Sequence, residues 1–439
     1  MTTNRDLSNP DLVNFSFNPK DFKLGRETRY TQAFSSGYSP VIFGFLTHKF
    51  SFSTSYTEDL NVISETRNMS SNKSYSVGGV FDLNKFLGGK PTSRRSSRRI
   101  RPKREEVDKD KPKSSLMKKL VTGPASVLRF LTSWIEPINY DFKEAYRYSY
   151  VGLKERASLK FRFGLTEDIG AEIDSESGST GRSTITTKST NYGLSSGTQF
   201  FGGLKTGVSF NRTINRDLIK AVNPTKSVST TFPDFNFTIN QLTTFKFLNP
   251  FIRKFAPRTK YSRSTKEYYN LTTGFKTKES ETISQNPLLS FTFNIFRDLQ
   301  INVRTNRSVS EDISYNSSTG EITRKSRSTS SNASASTKYS FSWPTGVKFP
   351  ILGRIKFRST MAISLEVSIR QQTTEEASGD TPLISKGDNR DFMVTPTISY
   401  AFSNQIKGGI SGRWQDTNNK QQNRKSHVRE LRIWVDIRF

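Results

Sequence analysis

Apolar and polar residues alternate with a period of two over most of this chain. Successive side chains of a strand point to opposite faces, so each such run predicts a strand with one apolar and one polar face. Leu46, His48, Phe50, Phe52, Thr54 and Tyr56 form one row, and Tyr75, Val77, Gly79, Phe81 and Leu83 another. Leu159, Phe161, Phe163 and Leu165 read as a third, and Leu204, Thr206, Val208 and Phe210 as a fourth. Toward the carboxy terminus the rows crowd together, at 289–295, 299–305, 339–343, 361–369, 392–402 and 406–414. The final stretch, "RELRIWVDIRF", sets Leu431, Ile433, Val435, Ile437 and Phe439 against Arg432, Trp434, Asp436 and Arg438. Weaker runs occur at 189–197 and 265–275. Together they predict roughly 13–15 strands of about ten residues, the length that crosses a bilayer when tilted.

The predicted connections alternate in length. "SNQ" at 403–405, "FRD" at 296–298 and "FFG" at 200–202 are tight, and the link through Pro344 and Pro350 is shorter than its neighbours. Between them, 415–428, 371–390, 310–333 and 166–188 are long and polar. Short turns on one side and long loops on the other suit an up-and-down barrel and not a Greek-key sandwich. The predicted fold is all-β: an antiparallel up-and-down outer-membrane β-barrel, or the carboxy-terminal portion of a larger one laid out as an open curved sheet, with one short amphipathic helix.

Two segments interrupt the alternation. "KPTSRRSSRRIRPKR" (90–104) has eight basic residues and no acid, a composition that buries no core and predicts a flexible loop. Leu128, Leu131 and Ile135 follow at helical spacing and place the short helix before Pro137. "TTFKFLNPFIRKFAPR" (243–258) carries Pro250 and Pro257, which are excluded from central strands, and predicts a cap or crossover. The predicted organisation is barrel strands in 1–89, the basic loop and helix in 90–139, and barrel strands in 140–439 with the crossover near 243–258.

Composition narrows the function classes. Of 439 residues only 33% are hydrophobic, yet 12% are aromatic, so the apolar residues are concentrated on particular faces. The chain has no cysteine and only His48 and His427, which leaves little for a thiol nucleophile or a histidine metal site. Glu105–Glu106 and Glu375–Glu376 fall in predicted loops, and "GSTGRST" at 178–184 lacks the Lys-Ser/Thr ending of a phosphate loop. No enzyme, cofactor or metal is expected. The net charge of +28 invites nucleic acid, but the aromatics form lipid-like rows instead of isolated stacking platforms, so nucleic acid is not expected as a partner. Arg304, Arg358, Arg413, Arg432, Asp436 and Arg438 lie opposite the apolar rows and are the lumen-facing candidates. No apolar run is long enough for a membrane helix, and "MTTNRDLSNP" has no secretory-signal layout, so an exported protein would have its true start upstream.

Three stretches, "SVLRFLTSWIEPINYDFKEAY" (126–146), "FPDFNFTINQLTTFKFLNPFIRKFAPRTKYSRSTKEYYNLTTGF" (232–275) and "PLLSFTFNIFRDLQINVRTNRSVSEDISYN" (287–316), follow one another in an order that resembles the carboxy-terminal part of the SprA (Sov) family. That family is the giant outer-membrane translocon of type IX secretion, associated with gliding motility. The resemblance covers roughly the last 340 residues and rests on order and texture. Members are several times longer, and this chain lacks their amino-terminal repeats. The resemblance implies a barrel in the outer membrane of a Gram-negative-type bacterium. It implies passage of secreted protein cargo, and plug and barrel partner proteins besides outer-membrane lipid. The terminal aromatic Phe439, with Ile437, Val435, Ile433 and Leu431 before it, resembles the signal read by barrel-assembly machinery. A self-contained porin or solute transporter of about fourteen strands, a size that barrels of this class reach, and a soluble β-rich adhesin are the alternatives.

Overall fold

The computed structural model describes residues 2–6, 13–14, 23–24, 26–61, 65–87, 132–173, 185–200, 203–217, 224–239, 252–295, 299–349, 353–403 and 405–437. The first strands are β1 (Thr2–Asp6), β2 (Val13–Asn14), β3 (Lys23–Leu24), β4 (Arg26–Tyr38), β5 (Val41–Phe43), β6 (Leu46–Leu60) and β7 (Arg67–Phe81). Next come β8 (Ile138–Leu153), β9 (Ile185–Gln199), β10 (Leu204–Asp217), β11 (Thr225–Ile239), β12 (Ile252–Phe255) and β13 (Arg258–Asn270). The last are β14 (Lys276–Ile295), β15 (Leu299–Tyr315), β16 (Ile322–Phe349), β17 (Gly353–Ser378), β18 (Ile384–Ala401), β19 (Ile406–Asn419) and β20 (Arg424–Ile437). β2 pairs with β3, and the other 18 strands belong to one sheet.

The sheet is an antiparallel meander. β1 pairs with β4, β4 with β6, and each strand from β6 to β11 with the next. β11 then pairs with β13, and each strand from β13 to β20 with its successor. Register carries the alternation of single strands into continuous rows. Ile295, Leu299, Tyr339, Ile363, Ile398, Ile410 and Ile433 are successive partners from β14 to β20. One position along, the partners are Asn294, Gln300, Lys338, Ser364, Thr397, Ser411 and Arg432. A slip of one residue in any pair would interrupt both rows, so the pattern fixes the register.

The strands run longer than the apolar rows imply. Apart from β1 and the short β2, β3, β5 and β12, they have 13 to 28 residues. Most stretches read as long loops are paired extensions that close in tight turns. The span 310–333 is mainly β15 and β16, 371–390 is mainly β17 and β18, and 415–428 is β19 and β20 around a turn at 420–423. Their Ser, Thr and Asn residues form ladders without apolar alternation, so hydrophobic periodicity does not register them. "NLTTG" (270–274) and "NSSTG" (316–320) make the same turn. Asn270 and Asn316 accept the amides of Thr272 and Ser318 on their side chains at 2.8 and 2.9 Å, and Gly274 and Gly320 end the turns at φ +75° and +76°.

Other expectations need correction. Pro344 lies inside β16 and is no part of a link. In the expected crossover, 252–255 is the strand β12, paired with β14, and β13 begins at Arg258; residues 243–251 lie outside the described ones. The expected helix also lies outside them up to Leu131, and beyond it Ile135 bridges Thr198. The basic run 90–104 is outside as well, on the connection from β7 to β8.

Candidate functional site

Two faces and two edges of the sheet define what it can do. On the polar face, one recess is lined by side chains from six consecutive strands, among them Ser284, Asn306, Ser330, Arg370, Asp391 and Gln415. Residues of β14 to β19 converge on one space only where that face is concave. The polar rows are therefore the inside of a curved wall and the apolar rows its outside. The inner rows are rich in hydroxyls and amides: Ser308 and Ser330, Asn306 and Asn332, and Ser334 and Arg304 are register partners.

Most of the lumen candidates fall on this inner face. Arg304 donates to the Asn286 side chain at 2.7 Å and to Asn306 at 3.2 Å. Arg432 donates to Glu430 at 2.6 Å, beside Arg413 on the neighbouring strand. Asp436 is the register partner of Lys407 on the polar row. The Arg358 side chain, and Arg438 and Phe439 entirely, lie outside the described residues. Leu431, Ile433, Val435 and Ile437 share the outer row of β20.

The outer face is apolar and open. Ile363, Leu365, Phe392, Ile398 and Ile410 are each about two fifths to one half exposed. Such a contiguous exposed apolar surface is lipid-facing in construction. Aromatic side chains cluster toward the rim where β20 ends, as in Phe291 stacked on Phe293 at 5.8 Å and Tyr400 against Phe402 at 5.0 Å. Trp434 belongs to the polar face and lies over Gly409, where a Cβ would fall 2.7 Å from its ring.

Among the described residues, no register joins the two edges. Among the described residues, β20 pairs with β19 alone, and Leu431 and Ile433 reach 73% and 77% exposure. At the other edge β1 covers only Arg26–Thr31 of β4. Gln32–Tyr38 pair with β6 on one side, and no strand among the described residues pairs with them on the other.

One element was misread from the sequence. Leu159–Phe163 is no strand: Leu159–Arg162 is a single helical turn, and residues 154–173 fold back as a clasp over the outer face of β4 to β8. The cue was present, because Ser158 caps the turn by accepting the Phe161 amide at 3.3 Å, and Gly164 and Gly170 take positive φ. Phe161, 2% exposed, drives edge-on into Tyr148 at 5.2 Å and joins a core of Tyr30, Tyr56, Met69, Tyr150 and Leu153. Tyr148 and Tyr150, on β8, are therefore buried by the clasp.

An ion cluster fixes its root. Glu58, 1% exposed, accepts Tyr56 Oη at 2.5 Å, Arg156 Nε at 3.3 Å and the Arg67 guanidinium. Arg156 also donates to Glu27 at 2.6 Å and lies 4.2 Å above the Tyr30 ring. His48 and His427 hold structural contacts: His48 Nδ1 is 2.5 Å from the Tyr140 hydroxyl, and His427 Nδ1 is 2.7 Å from Asp416.

No family model and no curated protein matches the sequence. Among solved structures, the ferric-catecholate import receptor Fiu of E. coli K12, in its open form, aligns with 92% of this chain and 72% of its own at 9% identity and a TM-score of 0.35. The alcaligin outer-membrane receptor FauA of Bordetella pertussis aligns with 93% of this chain and 65% of its own, also at 9% identity, with a TM-score of 0.28. This chain thus spans about two thirds to three quarters of those receptors' length. At such scores the likeness adds nothing to the rows, registers and faces themselves, which have the construction of an outer-membrane β-barrel wall.

Proposed function

We propose that the chain is the carboxy-terminal wall section of a SprA-like, protein-conducting barrel of type IX secretion, seated in the outer membrane of a Gram-negative-type bacterium. The observation that carries this reading is a wall whose two faces are sorted for lipid and water and in which, among the described residues, β20 and Gln32–Tyr38 of β4 each have a strand partner on one side alone. Unpaired backbone groups cannot stand in hydrocarbon, so such edges call for further strands. In this reading those strands belong to a larger barrel, to which the resemblance at 126–146, 232–275 and 287–316 also points.

Conduction is passive and involves no chemistry on the cargo. A lumen wall of hydroxyls and amides offers a secreted protein exchangeable hydrogen bonds and little apolar surface on which to stick. Plug and barrel partners gate the pore, and the assembly machinery recognises the outer row of Leu431, Ile433, Val435 and Ile437 together with the carboxy-terminal residue Phe439 of the sequence.

The test is a cross-link, made clean by the absence of native cysteine. Thr3→Cys is combined in turn with Leu431→Cys, Ile433→Cys and Val435→Cys in membranes. The larger-barrel reading expects no cross-link within the chain, and an in-frame upstream continuation rich in alternating strands. Efficient cross-linking, with a signal peptide directly before Met1, would replace it with the self-contained porin. The meander favours that second reading in one respect: it leaves β1 and β20 antiparallel to each other, as closure requires. Planar-bilayer conductance of the complete protein then checks transport, and a wall that stays sealed under all conditions counts against both readings.

A further inference from the structure

The outward rows change character between β8 and β13. Tyr146, Lys188, Arg216, Lys226 and Tyr269 are successive register partners across these strands, on the face where Tyr146 stacks against the clasp-covered Tyr148 at 6.3 Å. Arg216 is exposed and has a cation directly opposite it on each neighbouring strand. Like charges so placed destabilise a sheet.

The nearby carboxylates are engaged elsewhere. Glu144 accepts Lys188 at 2.9 Å, and Glu267 accepts Lys276 at 2.8 Å. Asp217 has the opposite parity and accepts the Thr225 hydroxyl at 2.8 Å. Among the described residues no carboxylate forms an ion pair with Arg216 or Lys226, and the Lys226 ammonium lies 5.4 Å from the Tyr269 ring centre. Toward the rim where β20 ends, the same outward positions become apolar. Phe142 packs against Tyr192 at 5.3 Å, Phe210 is the register partner of Leu194, and Tyr192 and Leu194 are 42% and 49% exposed. Arg212, which lies between, is offset by the charge of Glu267. A basic row edged by tyrosines and bordering an apolar band has the layout of a headgroup layer over acyl chains.

We propose that the row of Lys188, Arg216 and Lys226 binds the phosphate of an anionic lipid headgroup, with the acyl chains of that lipid along Tyr192, Leu194 and Phe210. The inference rests on the membrane-barrel reading, and it goes further by giving one stretch of the wall a lipid preference. A phosphate between Arg216 and Lys226 supplies the anion that the row lacks, and the guanidinium can meet it with two parallel hydrogen bonds. Continuity with the apolar band favours a lipid over free phosphate or an acidic protein.

The test uses the full chain in detergent micelles, offered equimolar phosphatidylglycerol and phosphatidylcholine with the same acyl chains, and read by native mass spectrometry. The expected preference for the anionic lipid is about 25-fold, roughly fivefold from each of the two cations without a carboxylate. Arg216→Gln, at an exposed position, should reduce it about fivefold. Adding Lys226→Gln should bring it close to one, and Arg216→Lys should keep it. Lys266→Gln removes an exposed cation of the inner face and should leave the preference unchanged. Equal retention of the two lipids by the wild type would overturn the proposal, as would displacement of the lipid by millimolar inorganic phosphate. So would a folded Arg216→Gln variant with an unchanged preference, or an equal fall in Lys266→Gln, which would trace the effect to net charge alone. A chain that stays soluble without detergent and takes up neither lipid would overturn the membrane reading as well, which separates the two failures.

Discussion

The sheet from β4 to β9 and the sheet from β14 to β20 share one alternation, yet their outer faces are covered differently. In the first, protein covers the upper part of the outer face: eight of the ten buried apolar residues among the described ones lie in the cluster under the clasp. In the second, Ala377 is the one such residue, and the outer rows stand open. The same pattern of side chains thus makes a conventional core where a loop folds back, and a solvent-specific surface where none does. The first region carries its own burial. The second requires a bilayer.

The largest expected effect breaks the first region alone. Glu58→Ala leaves Arg67 and Arg156 facing an empty, buried position, a loss of about 3–5 kcal/mol for a broken buried ion cluster. Hydrogen exchange in detergent should show β4 to β8 opening early while β15 to β18 keep their protection. Equal loss in both regions would mean that the sheet unfolds as one unit. Phe161→Ala comes next at about 3 kcal/mol, for an aromatic removed from a packed site. It should free the clasp, seen as rapid proteolysis within 154–173 while the strands stay intact. The converse change is Ile398→Arg on the open outer row. It should cost about 2 kcal/mol in vesicles, as a cation on a lipid face does between midplane and interface. In a lipid-free assay it should cost almost nothing. A similar cost in both media would mean that the outer row is not lipid-facing.

Legibility from the sequence divides along the same line. The rows of β6, β7, β10, β14, β15 and β17 to β20 were readable because the bilayer imposes strict apolar alternation on an exposed face. So was the alternation of turn sides, with "SNQ" between β18 and β19. Beyond the band that demand lapses, and extensions such as Ser326 to Ser336 pair through backbone ladders with no apolar signal to mark them. The clasp misled for the opposite reason: Leu159, Phe161, Phe163 and Leu165 alternate like a strand, but Ser158, Gly164 and Gly170 fold them into a turn. Its ion cluster joins Glu58 and Arg67 of one hairpin to Glu27 and to Arg156 far along the chain, a convergence that no local pattern announces. The lumen candidates Arg304, Arg413, Arg432 and Asp436 were placed by parity alone, and register carried that parity through.

The smallest expected effect sharpens the comparison at a hairpin tip, outside the apolar rows. Near the 271–275 turn, Glu267 accepts Lys276 at 2.8 Å and the Tyr269 hydroxyl at 3.0 Å, and Lys276 also reaches Glu279 at 2.9 Å. The hydrogen bond from Lys276 holds the Glu267 carboxyl below its ordinary value of 4.5 despite partial burial. A lowered folded-state value means that the charged form is stabilised by folding. The contribution is therefore full above about pH 4.5, where the unfolded chain titrates, and is lost as the pH falls through the lower folded value. The group is about one third exposed, so water screens the pair and the effect stays under ~1 kcal/mol. Exchange of the Asn270 and Gly274 amides, corrected for intrinsic rate, should quicken below pH 4.5 in the wild type and lose that step in Glu267→Gln. The clasp residues should show no matching change in that variant, because its substitution lies on strands the clasp does not touch. A coupled change in the clasp would mean that the two regions communicate through the sheet, and would end the contrast between them.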